Sequence, residues 1–190
     1  MNGWVKTGIP NSKKRLRGVQ ARFVQQAVNA LGCITKSYIK CTLSFADATT
    51  YYITKRLEAE GKIWFYKMGR WRALCSPNIP RNVPPNEIWT CIEGKIVKLT
   101  PGTILKQICS IWGGQNNYFK VAMVDLVKRL GLRYVPPFLL FYVLDILKYY
   151  GVEYRLLTKP RGHGTVNRIL VSGRSLADKC YAGKKQNTAE

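Results

Sequence analysis

Four prolines within twelve residues, Pro77, Pro80, Pro84 and Pro85, constrain this chain more than any other feature. Proline lacks the backbone N–H and fixes φ, so neither a helix interior nor a central strand can run through 76–87. The stretch therefore reads as a connector, and the chain divides around it. Charge divides it at the same place. Residues 1–76 carry 14 basic and 3 acidic side chains, net +11; residues 77–98 are nearly neutral at net +1; residues 99–190 carry 14 and 5, net +9. Two basic modules joined by a Pro-rich segment is the organisation this predicts. In residues, it is a basic flexible leader at 1–17, a first domain at 18–76, a linker with a small hairpin at 77–98, a second domain at 99–174 and a basic flexible tail at 175–190.

The two modules repeat an order of elements. In the first, Val19, Phe23, Ala27, Ala30 and Leu31 fall on one helical stripe that ends at Gly32. A short helix follows over 36–43. Ser44 then starts a third helix, with Asp47 three residues on in an approximate capping box. Ala46, Ile53 and Leu57 share its inner face and Gly61 stops it. Ile63–Met68 and Arg70–Cys75 read as strands around Gly69, and Ile88–Ile92 with Lys95–Leu99 as a small hairpin. In the second module Thr100 and Pro101 open a helix to Trp112. A second helix is expected over 118–130 and a third from Pro137 to Tyr150, with Leu140, Val143 and Leu147 inward. Strands follow at 152–157 and 165–171. Ile53, Leu57 and Gly61 stand 90 residues before Val143, Leu147 and Gly151. A shared register of core positions and terminating glycine, in the same order of elements, marks an internal structural repeat.

The run from Ser44 to Ile63, closing Leu57-Glu-Ala-Glu-Gly-Lys-Ile63, resembles the recognition helix and wing entry of winged helix-turn-helix regulators. The resemblance covers 18–75 closely and 100–172 more loosely. It implies an α+β, mainly α fold of two tandem winged helix-turn-helix domains with short β-hairpin wings. It also implies double-stranded DNA as partner, with the third helix in the major groove. On that helix Lys55 points opposite the core stripe, with Ala48, Tyr51 and Tyr52 around it and Thr54 at the edge. These groups suit base edges, phosphates and thymine methyls. The first wing clusters Lys67, Arg70 and Arg72 among Trp64, Tyr66 and Trp71. The second carries Lys159, Arg161, His163 and Arg168. Lys13, Lys14, Arg15 and Arg17 add cations in the leader.

The second module departs from the pattern. The outer face of its third helix carries Phe138, Phe141, Tyr142, Asp145 and Tyr149, which is poorly matched to a phosphate-lined groove. Such a face marks a protein contact, either with a second copy, making a homodimer through the second domain, or with the first domain.

A net charge of +21 is costly in self-repulsion unless a polyanion neutralises it. Phosphate backbones do so through counterion release, for DNA and RNA alike. RNA binding or ribosome association therefore stands beside transcription regulation or genome coating. A third alternative is a protein-interaction subunit of a transcription or replication complex. Catalysis is not expected. The chain has no phosphate-binding glycine motif, and its ten acids are dispersed. No cofactor is implied. The six cysteines are widely spaced with one histidine, His163, so metal ligation is not expected either. Scattered buried thiols and disulfides both fit that spacing, and the sequence does not pair them. No apolar run reaches the length of a membrane span. The expected location is intracellular and DNA-associated, in cytoplasm, nucleoid or virus.

Overall fold

The computed structural model describes residues 12–157 and 168–185, with side chains over 18–157 and 168–181. Among these the fold is α+β, with seven helices and two small sheets. The elements of the first half are α1 (Ser12–Leu31), β1 (Cys33–Thr35), α2 (Lys36–Leu43), α3 (Asp47–Ala59), β2 (Trp64–Met68) and β3 (Trp71–Cys75). A hairpin of β4 (Ile88–Ile92) and β5 (Lys95–Leu99) follows. The second half holds α4 (Pro101–Trp112), β6 (Tyr118–Ala122), α5 (Met123–Arg129), α6 (Leu139–Tyr149), β7 (Tyr154–Leu156), β8 (Arg168–Ser172) and α7 (Gly173–Lys185).

Helix α1 begins at Ser12, within the stretch read as a flexible leader. Its buried stripe is Ala21, Val24 and Val28, rotated from the expected one, so Val19 and Phe23 are left half exposed. Gly32 takes the left-handed conformation and the chain drops into β1, a strand too short for sequence periodicity to signal. Thr35 caps α2 by accepting the Tyr38 N–H. Ser44 does not cap α3. It sits in the left-handed conformation at the end of α2, and Ala46 begins α3 without a side-chain cap. Asp47, the acid of the expected capping box, instead pairs with Lys36 and Lys40.

The 90-residue register is repeated in the backbone. Lys62 N–H donates to Leu57 C=O at 2.9 Å, and Val152 N–H to Leu147 C=O at 2.8 Å. Gly61 and Gly151, at φ +67° and +69°, donate to Glu58 and Lys148 respectively. Both helix ends thus close their orphan carbonyls by the same motif, in which glycine avoids the Cβ penalty.

The first sheet has the order β2-β3-β1-β4-β5, the second β6-β8-β7. β1–β3–β2 and β6–β8–β7 are the same arrangement, antiparallel throughout. β4 runs parallel to β1, so the 88–99 hairpin extends the first sheet. The segment expected as one helix over 118–130 splits. Phe119 and Val121 alternate inward as β6, and Met123, Leu126 and Val127 then take a helical stripe as α5. The 76–87 segment has no regular structure, yet it is packed: Pro84 and Pro85 are buried.

Two apolar clusters result. One lies between α1, α3 and the inner face of the first sheet, with Ile34, Ile39, Ile53, Leu57 and Leu74. The other joins the sheet's outer face, Cys33, Trp64, Tyr66, Met68 and Ala73, to the helices and sheet of the second half. All six cysteines are paired. Cys33–Cys75 crosses the β1–β3 ladder, Cys41–Cys91 ties α2 to β4, and Cys109–Cys180 ties α4 to α7. That last bridge and the buried Leu176 fix a helix where a flexible tail was expected from residue 175.

Candidate nucleic-acid interface

Helix α3 buries Thr50, Ile53, Thr54 and Leu57. The opposite strip, Ala48, Tyr51, Tyr52 and Lys55, is exposed, and the two tyrosine rings meet edge to face at 5.7 Å. Thr54 departs from the expectation. It is 7% exposed and its hydroxyl donates to the Tyr51 carbonyl at 3.1 Å, so it has no face for a base edge.

The strip continues onto the β2–β3 hairpin. The Phe65 ring lies between two cations, with Lys55 Nζ 5.8 Å and Arg72 Cζ 5.6 Å from its centroid. The ring's quadrupole attracts both charges, and Lys55 also donates to Glu58 at 3.0 Å. Lys67 lies directly across the ladder from Arg72, and Arg70 rests 5.6 Å over Trp71. Lys67, Arg70 and Arg72 are all exposed. Lys55 of α3 and Lys67 and Arg72 of the hairpin therefore gather about Phe65, while Arg70 packs over Trp71 at the hairpin tip. The three acids of this half are each already matched. Lys55 pairs with Glu58, Arg56 and Lys62 with Glu60, and Lys36 and Lys40 with Asp47. Hydrogen bonds from Lys36 and then Lys40 hold the Asp47 carboxyl below its ordinary range, as Lys62 and then Arg56 do for Glu60.

The second half places its third helix differently. Phe138 and Tyr142, read from the sequence as outward-facing, are buried; Tyr142 is fully so. Its hydroxyl donates to the Pro85 carbonyl at 2.7 Å, and its ring meets Tyr66 edge to face at 6.3 Å. Tyr66 in turn donates to Asp145 at 2.6 Å. Burial raises both phenol pKa values well above the ordinary 10, and for Tyr66 the Asp145 carboxylate adds to it, so both remain donors. The Phe141 ring closes over Gly69 at the hairpin tip. Tyr149 alone of the expected interface residues stays largely open, at 56%. Of the two occupants expected for this face, the first half is the one in contact with it.

Among the described residues the equivalent face of the second sheet carries exposed cations. Lys120, Leu170 and Arg155 form one cross-strand row, and Arg168 follows on the same face. The three cations are exposed, and Arg155 lies 4.5 Å over the Tyr118 ring. Arg155 lies on the face of the sheet opposite the one that carries the buried Ile169 and Val171 across the ladder. Sequence reasoning found Arg168 but missed Lys120 and Arg155, because Lys120 was assigned to a helix and Arg155 to an unremarkable strand. Alternation of Tyr118, Lys120 and Ala122 against Phe119 and Val121 was the available signal. Lys159, Arg161 and His163 lie outside the described residues. Lys13, Lys14, Arg15 and Arg17 lie in the first turns of α1, without described side chains.

Among the described residues no group of His, Cys, Asp and Glu converges to hold a metal, and no helix is long and apolar enough to cross a membrane. No family model, curated protein or solved structure matches the chain.

Proposed function

We propose that this chain is a non-enzymatic double-stranded DNA-binding protein made of two winged helix-turn-helix units, of which the first reads the duplex. The repeated order helix, strand, helix, helix, hairpin, with the same three-strand sheet order in both halves, supports the winged-helix reading. The observation that carries the function is the meeting of Lys55 and Arg72 across Phe65. It joins the outer strip of α3 to the wing as one cationic surface, the geometry by which a recognition helix enters the major groove beside a phosphate-contacting hairpin. The role is that of a transcription regulator or an architectural coat, and the charge of +21 suits either. A homodimer through the second unit would rest on Tyr149 and the exposed part of Phe141, since Phe138 and Tyr142 are buried.

The test is a salt titration of duplex binding with the intact chain. Affinity should fall with salt at a log–log slope of about −0.9 per phosphate neutralised. Replacing Lys55 and Arg72 together with Ala should flatten that slope by about 2 and weaken binding at every sequence. Unchanged affinity and slope would overturn the placement of the site. Tighter binding to an RNA duplex or single strand than to DNA, through the same residues, would transfer the function to RNA.

A further inference from the structure

A cleft of about 490 Å³ opens where the two halves meet. That volume is typical of pockets for small organic ligands. Trp71 and Thr90 of the first sheet and Ser37 of α2 line one side; Tyr134, Pro137 and Phe138 line the other.

Three hydroxyls lie together in its lining. Thr35 Oγ1 is 2.8 Å from both Ser37 Oγ and Thr90 Oγ1, and Ser37 Oγ is 3.0 Å from Thr90 Oγ1. Thr35 donates to Thr90 and accepts the Tyr38 N–H. Each hydroxyl has one proton. With that of Thr35 spent on Thr90, Ser37 must donate to Thr35 and Thr90 to Ser37. The ring is closed, and all it can offer a ligand is lone pairs. Thr90 is fully buried and Thr35 nearly so, which makes the ring a fixed part of the wall. Among the charged lining residues Lys36, Lys40 and Arg72 stand against Asp47 and Glu93, and both lysines pair with Asp47, which leaves one cation in excess.

Flat aromatic and proline walls, an acceptor-only hydroxyl at Ser37 and a rim with no excess of acids describe the complement of a planar ring that bears N–H donors and is not itself a cation. We infer that the cleft takes a nucleobase with an exocyclic amine, stacked against Trp71 and Tyr134 with an N–H group toward Ser37, whose hydroxyl the buried Thr35 and Thr90 hold in place. An ammonium group would also meet the acceptors, but a chain of this charge repels it and concentrates nucleotides. The base can arrive as a free nucleoside or as part of a strand. The inference does not depend on duplex reading by α3.

The experiment is calorimetric titration of the intact chain with adenosine, with a hexamer of deoxyadenylate, and with an abasic hexamer of equal charge. The base-bearing hexamer should bind more tightly than the abasic one by about tenfold, the worth of one stacked base. Tyr134→Ser, a change at an exposed side chain, should abolish that margin and leave abasic-hexamer and duplex affinity unchanged. Thr90→Val should do the same by opening the hydroxyl ring. Saturable adenosine binding lost in Tyr134→Ser assigns the site to free nucleosides, and loss confined to the hexamer assigns it to strands. Equal affinity for the two hexamers with no saturable adenosine binding overturns the inference. So does saturable binding of lysine methyl ester in preference to adenosine.

Discussion

Replacing Tyr142 with Phe removes one oxygen from the place where the two halves are joined. The side chain is fully buried, and its hydroxyl is the donor to the Pro85 carbonyl in a buried bond of 2.7 Å. The shape of the core is kept, so no large cavity forms. The loss is the hydrogen bond plus the cost of leaving a buried acceptor without its donor, about 1–2 kcal/mol. For a chain of this size that corresponds to a fall in Tm of about 2–8 °C. Tyr142→Ala also empties the ring site and breaks the contact with Tyr66, and should cost about 3–5 kcal/mol. Tyr149→Phe, at an exposed phenol, is the control and should stay within about 0.5 kcal/mol. Differential scanning calorimetry or guanidinium melts on the three variants, disulfides intact, measure all of this. If Tyr142→Phe melts with the parent, Tyr142 does not fasten the Pro-rich segment to α6, and the account of how the halves are held together is wrong.

Gly69→Ala should destabilise by about 1–3 kcal/mol, since Gly69 has φ +60° and an added Cβ would sit 2.6 Å from the Phe141 ring. Phe141→Ala in the same chain should recover the steric part, and additive costs in a double-mutant cycle would show that the two do not touch. Full reduction of the disulfides, which span 42, 50 and 71 residues, should lower Tm sharply. A single bridge over such spans contributes about 4 kcal/mol by chain entropy. A Tm unmoved by reductant, with thiols shown free by labelling, would refute that role. Asp47 and Glu60 have folded pKa values below their ordinary 3.8 and 4.5. Their pairing therefore stabilises above those values and is lost as pH falls through the folded pKa. Asp47→Asn should flatten the decline of Tm below about pH 4; a decline identical to the parent's would place the acid sensitivity elsewhere.

Much of the fold was legible where local chemistry decides it. The bounds of α2, the Thr100–Pro101 start of α4 and the glycine-terminated ends of α3 and α6 follow from caps, proline and positive φ, which are properties of a few neighbouring residues. Elements decided by distant partners were not legible. β1 has three residues and exists because Cys33, Ile34 and Thr35 pair with β3. β6 was read as the start of a helix because its alternation runs directly into the stripe of α5. α7 is polar and basic, and long-range contacts dock it: the buried Leu176, the bridge from Cys180 to Cys109, the Tyr181 ring against Trp112 and Ser175 accepting the Glu153 N–H. The candidate site divides in the same way. The outward set Ala48, Tyr51, Tyr52 and Lys55 follows from helical periodicity, while Thr54 lay on the boundary and turned inward. That α6 carried a contact face was visible in Phe138, Phe141 and Tyr142. Its occupant was not, because an apolar stripe does not encode the surface that covers it.

The contact between the halves is heterologous: the third helix of one unit sits on the outer sheet face of the other. Surfaces of that kind have no internal stop, and a third unit could in principle stack by the same rule, as in an open-ended array. The second sheet presents a different surface. Where the first presents Tyr66 to Asp145 and Tyr142, the second presents Arg155 beside Lys120 and Arg168. An aromatic helix face cannot bury those charges without stranding them. Docking a further helix face of that kind on β6–β8–β7 would require burying three cations that β1–β3–β2 does not carry on its outer face. Replacing the three with apolar residues would therefore threaten not the fold of one molecule but the separateness of many.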